Sequence, residues 1–127
     1  MYLRIVLNRD KIKKSVEKGR RYEKLAEKFL IDNGYMTLEK NWQAGHKEID
    51  LIVQKGETIV FVEVKGSASK QYGHPSEWVD KRKRENLTNA AEQYIKANNL
   101  RNLDFRFDII TFFDGRLEHY IDAFQTE

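Results

Sequence analysis

The chain has no cysteine, which excludes disulfides, thiolate metal sites and cysteine nucleophiles. It has a single proline, and 40% of its residues are hydrophobic and 34% charged. That balance suits a packed α/β or α+β domain and argues against a disordered chain. No long apolar run is present. The opening Met1 to Leu7 is short, interrupted by Arg4 and without a small-residue cleavage site, so it predicts neither a secretion signal nor a membrane span. A cytoplasmic protein with no membrane partner is expected. The 127 residues leave room for one domain that buries roughly two thirds of its unfolded surface. We expect that domain over residues 15–127, with residues 1–14 an N-terminal extension or an edge strand.

Charge is present but unevenly spread. The net charge is +3, yet Met1 to Arg21 carries eight basic residues, among them Arg20 and Arg21, against only Asp10 and Glu17. Lys81, Arg82, Lys83 and Arg84 form a second basic block, whereas three arginines face six carboxylates from Leu100 onward. Two basic clusters around an acidic hairpin suit a polyanion such as nucleic acid. A solvated helix face has the same composition, so charge alone does not decide.

The hairpin is the centre of the sequence. Ile49 to Val53 and Thr58 to Val64 are apolar, β-branched runs that predict buried strands, yet they carry Glu48, Asp50, Glu63 and Lys65. An unpaired charge in such a place costs several kcal/mol, on the order of the known penalty for buried charge. Alternation pairs Glu48 with Asp50 and Glu63 with Lys65 on a face. A two-residue Gly56-Glu57 loop with glycine first, as in a type II′ turn, places Asp50 opposite Glu63 and Glu48 opposite Lys65 unless a bulge intervenes. Opposed carboxylates about 5 Å apart at their stems repel, and a divalent cation turns that repulsion into coordination. Lys65, one pleat on, can address a water or phosphate there. The same spacing fits a strand that simply ends in solvent with its charges hydrated.

The flanking pattern is helical, then extended, twice over. A helix is predicted from an N-cap at Ser15 to Asn33, with Gly34 as its stop and an apolar stripe of Tyr22, Leu25, Ala26, Phe29 and Leu30 bordered by Glu23. Tyr35 to Lys40 reads as a strand, Trp42 as a core residue in preference to a base-stacking face, and His46 as a solvated loop side chain. Small polar residues and the Tyr72-Gly73-His74-Pro75 loop follow Lys65. His74 reads as a loop-packing or capping residue. A second helix is expected from Trp78 to Ala97, burying Leu87, Ala90, Ala91, Tyr94 and Ile95. Four consecutive cations at its start oppose the helix dipole but favour a bound phosphate. A strand pair, Phe105 to Phe113 and Leu117 to Phe124, turns at Asp114-Gly115; Arg106 and Asp108 share a face and can pair.

Asp50, with Glu63-Val64-Lys65 after the hairpin, resembles the PD-(D/E)xK signature of restriction-endonuclease-like folds. Adding Gly19, Glu23, Gly34-Tyr35, Asn41-Trp42, Glu48-Ile49-Asp50-Leu51-Ile52, Tyr72-Gly73, Lys83, Arg106-Phe107-Asp108 and Ala123-Phe124, the chain resembles the YraN family of bacterial proteins, related in fold to archaeal Holliday-junction resolvases, from Gly19 to Phe124. The resemblance implies a three-layer α/β fold with a mixed central sheet flanked by helices. It implies a Mg²⁺- or Mn²⁺-dependent endonuclease acting on nucleic acid, DNA ahead of RNA, and a homodimer such as resolvases use. The implied catalytic set is Glu23, Asp50, Glu63 and Lys65, with metal held by Asp50, Glu63, Glu23 and the Val64 carbonyl. Glu48 would support these or add a ligand. Phosphate contacts would come from Arg20, Arg21, Lys70 and the block Lys81, Arg82, Lys83 and Arg84. Gly66 and Ser67 stand where the family usually has a threonine and an arginine, so Lys70 would have to replace that arginine. A nucleic-acid-binding module that keeps the fold without turnover is the alternative.

Overall fold

The described residues of the chain, 18–67 and 79–125 of a computed structural model, form a five-stranded sheet with a helix on each face. Residues 18–32 are helical (α1) and are followed by β1 (Met36–Ala44), β2 (Lys47–Lys55) and β3 (Thr58–Ser67). Then come α2 (Lys81–Ala97), β4 (Asp104–Phe113) and β5 (Arg116–Tyr120). The strands lie in sequence order. Every neighbouring pair is antiparallel except β3 and β4, which run parallel because α2 carries the chain back across the sheet between them. The sheet is therefore mixed, as expected.

The two faces bury separate cores. Ala26 and Leu30 of α1 pack on Leu51, Val53, Val60, Val62 and Ile110. Leu87, Ala90, Ala91 and Tyr94 of α2 pack on Ile49, Ile52, Ile59, Phe61, Phe107 and Ile109. This is why the central strands read as continuous apolar runs: both of their faces are covered. Trp42 belongs to the α2 side, edge-on to Tyr94 at 5.3 Å between ring centroids.

Several boundaries differ from the sequence reading. Within α1, Leu25 stays exposed at 43%, because the sheet-facing stripe is only wide enough for Ala26 and Leu30, with Tyr22 and Phe29 half-buried at its borders. The strand predicted to stop at Lys40 runs on to Ala44. The second helix begins at Lys81, not Trp78, because the Asp80 side chain accepts the Lys83 N–H and caps it. The last strand ends at Tyr120, well before Phe124: Asp122 takes φ 55°, and Ala123 turns back to donate to the Phe107 carbonyl. The 1–14 extension, Ser15, Lys70 and the loop containing His74 lie outside the described residues. No helix among the described residues is long and apolar enough to cross a membrane.

Candidate metal centre

The two-residue turn sets the register of the site. Lys55 pairs with Thr58 around Gly56-Glu57, with Gly56 at φ 60° and Glu57 not in the left-handed region, the pattern of a type II′ turn. The β2–β3 ladder continues as far as Leu51 opposite Val62 and stops there. One residue further, the Val64 N–H donates to Oδ2 of Asp50 at 2.8 Å instead of to a backbone carbonyl. The strands part where the charges begin. Because N–H and C=O of one strand residue point to the same side, the Val64 carbonyl is directed at the same gap.

A local reversal decides what else enters that gap. Lys40 reaches Glu27 of α1 (Nζ to Oε1 3.5 Å), whereas Trp42, two residues on, packs on α2. Leu51 likewise lies in the α1-side core and Ile49 in the α2-side core. Residues two apart share a face in a regular strand, so both strands reverse their facing at the level of Asn41 and Asp50, where Asn41 takes φ 50°. The β2–β3 ladder therefore ends before the expected oppositions of Asp50 with Glu63 and of Glu48 with Lys65. Glu48 turns towards β1 and α1: Asn41 Nδ2 donates to its Oε1 and Gln43 Nε2 to its Oε2, each at 2.8 Å. The same Asn41 nitrogen donates to Glu23 Oε2, also at 2.8 Å. One oxygen each of Glu23, Glu48 and Asp50 consequently lie within 4.8 Å of one another.

Glu63, expected as a ligand, is not among the three acids whose oxygens meet within 4.8 Å; it acts on Asp50 through its charge from the other face. Val60, Val62 and Val64 pack towards α1, so Glu63 and Lys65 lie on the α2 face. Glu63 is 9% exposed; Oε1 lies 3.4 Å from Lys83 Nζ in the first turn of α2, and Oε2 is buried with no hydrogen-bond partner among the described residues. Burial, and then the charge of Glu63, push the Asp50 carboxyl up to about 8 despite the Val64 hydrogen bond; Glu23 and Glu48 add to the rise. Burial also raises Glu63, partly offset by Lys83 and Lys65. Burial thus disfavours the charged form of both acids beyond what their donors among the described residues offset.

The basic residues do not form one surface. Arg20 lines a groove of about 210 Å³ beside Glu23, Lys40 and Asn41, while Arg21 lines a separate one with Tyr22 and Phe112. Lys81 and Arg84 border a third with Gln125, and Arg82 is exposed. Lys83, read as a phosphate contact, reaches the acid cluster itself. His46 is exposed in the β1–β2 turn and takes no part in the acid group. Sequence reasoning missed Asn41 and Gln43 as partners of the acids. The available signal was the asparagine itself, which tolerates a left-handed backbone that other residues resist.

Comparison with known proteins gives the family and the fold. The sequence pattern described as "Uncharacterised protein family UPF0102" matches residues 22–112. A UPF0102 protein of Sulfurihydrogenibium is 37% identical over 111 residues, which are 87% of this chain and 96% of that one. One from Clostridioides difficile is 39% identical over 110 residues, 85% and 96% of the two chains. Among solved structures, Hjc of Archaeoglobus fulgidus, a Holliday junction resolvase, superposes with a TM-score of 0.55 at 17% identity, covering 87% of this chain and 79% of its own. The fold is restriction-endonuclease-like.

Proposed function

The chain belongs to the protein family UPF0102, and from that premise and the acid cluster we propose that it is a metal-dependent endonuclease that hydrolyses phosphodiester bonds of DNA. The observation that carries this reading is the buried, unpartnered Oε2 of Glu63 beside an Asp50 carboxyl raised to about 8. Leaving such oxygens unsatisfied costs about 1–3 kcal/mol each, and a divalent cation supplies the missing counter-charge. Oxygen-only donors favour Mg²⁺ or Mn²⁺ over softer metals. Asp50, Glu63, Glu23 and the Val64 carbonyl would hold the ion, with Glu48 beside them. When bound, it would polarise a phosphoryl oxygen and acidify a water.

The chain's own groups do the rest. Lys65, half-buried and on the face of Glu63, orients the attacking water or stabilises the charge that builds on the phosphate. Lys83 holds Glu63 in place. Arg20, at the groove beside Glu23, and the exposed cations of α2 neutralise flanking phosphates. DNA as substrate is taken from the likeness to the resolvase fold, as is a homodimer that would present two centres to two strands; the cytoplasm is the setting that fits such a substrate.

The test is cleavage of labelled branched, single-stranded and duplex DNA, with RNA in parallel, in the presence of Mg²⁺ or Mn²⁺. Asp50→Ala and Glu63→Ala are expected to lower cleavage at least 100-fold, and Lys65→Ala to lower kcat while leaving Mn²⁺ affinity within about threefold, as loss of a group acting mainly in the transition state does. Metal-dependent cleavage that survives both carboxylate substitutions would contradict the assignment.

A further inference from the structure

We infer that Asn41 is the residue that assembles the metal-binding acids, acting as a bridge between α1 and β2; this rests on the metal-dependent reading above. Glu23 and Glu48 come from different elements and carry like charges, so nothing intrinsic brings them together. The Nδ2 of Asn41 carries two hydrogens, one for each carboxylate, at 2.8 Å in both cases. Its backbone makes this reach available: at φ 50° the chain reverses its facing, so Asn41 falls between Lys40, turned to α1, and Trp42, turned to α2.

The bridge leaves a defined set of oxygens. Both oxygens of Glu48 accept amide hydrogens, from Asn41 and Gln43. Glu23 accepts from Asn41 at Oε2 and Asp50 accepts from the Val64 N–H at Oδ2, while Oε2 of Glu63 is buried and accepts from none of the described residues. The three acids belong to three different elements. Asn41 thus selects which oxygen of Glu23 faces the ion and makes Glu48 the anchor of the bridge, not a principal ligand. Partners of this kind typically change metal affinity 10- to 100-fold when removed.

Asn41→Gly separates the side chain from the backbone, because glycine adopts φ 50° without strain. Calorimetric titration of Mn²⁺ is expected to show affinity lowered about 10- to 100-fold with the melting temperature within a few degrees of wild type. Gln43→Ala, which removes a donor to Glu48 but not the bridge, is expected to change affinity less than threefold. If Asn41→Gly does not fold, Asn41→Ser, whose single hydroxyl hydrogen cannot serve both acids, takes its place with the same expected loss. Wild-type binding that is abolished by Asp50→Ala yet unchanged in the Asn41 variant overturns the role of Asn41 alone. A wild type that takes no Mn²⁺ overturns the metal centre, and this inference with it.

Discussion

Asp50 binds its proton more tightly in the folded chain than in the unfolded one, since its carboxyl moves from 3.8 to about 8. A raised acid pKa contributes stability that is whole below about pH 4 and is lost as the pH climbs through 8; Glu63 shifts in the same direction. Without metal, Asp50→Asn is therefore expected to melt higher than wild type at pH 8, by about 5 °C or more if at least 1 kcal/mol is at stake, with the difference shrinking towards pH 5. Thermal melts across that range check it. With Mn²⁺ the order reverses, because the ion takes the place of the proton. Release of one proton on binding makes wild-type affinity rise about tenfold per pH unit between 6 and 8.

Much at this scale is legible in the sequence, and the exceptions are physical. Glu63 and Lys65 lie on one face because β3 is regular. Glu48 meets Asp50 as alternation predicts, but its partners on β1 were not legible, because Asn41 leaves the regular strand conformation there. Lys83 looks like any solvated cation in a basic run; only the fold brings the start of α2 to Glu63.

At the scale of elements, α2 starts against its own dipole. Its first turn has no acid and begins with four cations, so the helix depends on the Asp80 cap. Asp80→Ala is expected to lower stability by about 1 kcal/mol in urea unfolding. The contact of α1 with the end of β3 is equally specific. A Cβ on Gly66 would run into the ring of Tyr22, which stacks on Phe112 at 4.9 Å. Gly66→Ala should destabilise by about 1–3 kcal/mol through overpacking, and by clearly less in a Tyr22→Ala background. Helix and strand periods were enough to find these elements. Their ends were not legible where a side-chain cap, as at Asp80, or a left-handed residue, as at Asp122, overrode the apolar pattern.

At the scale of the molecule, a buried network joins the first strand's entry to the far edge of the sheet. Asp108, 1% exposed, accepts from Arg106 at 2.8 and 2.9 Å and from the Asp122 N–H at 3.0 Å, with His119 Nε2 at 2.7 Å. Arg106 also donates to the Tyr35 hydroxyl at 2.8 Å. Although burial opposes it, His119, Arg106 and the Asp122 amide hold the Asp108 carboxyl below its ordinary value. Asp108→Asn would leave the half-buried Arg106 without its counter-charge, at a cost of about 1–3 kcal/mol, measurable by urea unfolding at pH 7. The pairing of Arg106 with Asp108 could be read from their shared face. His119 and Asp122 could not, because they meet Asp108 only once β5 folds back on β4. This network ties β4, β5 and the entry to β1 together, apart from the hairpin acids.

On the metal-dependent reading the hairpin acids hold a divalent cation. Calorimetric titration of Mn²⁺ into the wild-type chain and into Asp50→Ala, in low salt at pH 8, tests it most directly. The expected result is a saturable wild-type isotherm that vanishes in the variant. Equal isotherms for the two proteins, or none for either, would contradict it.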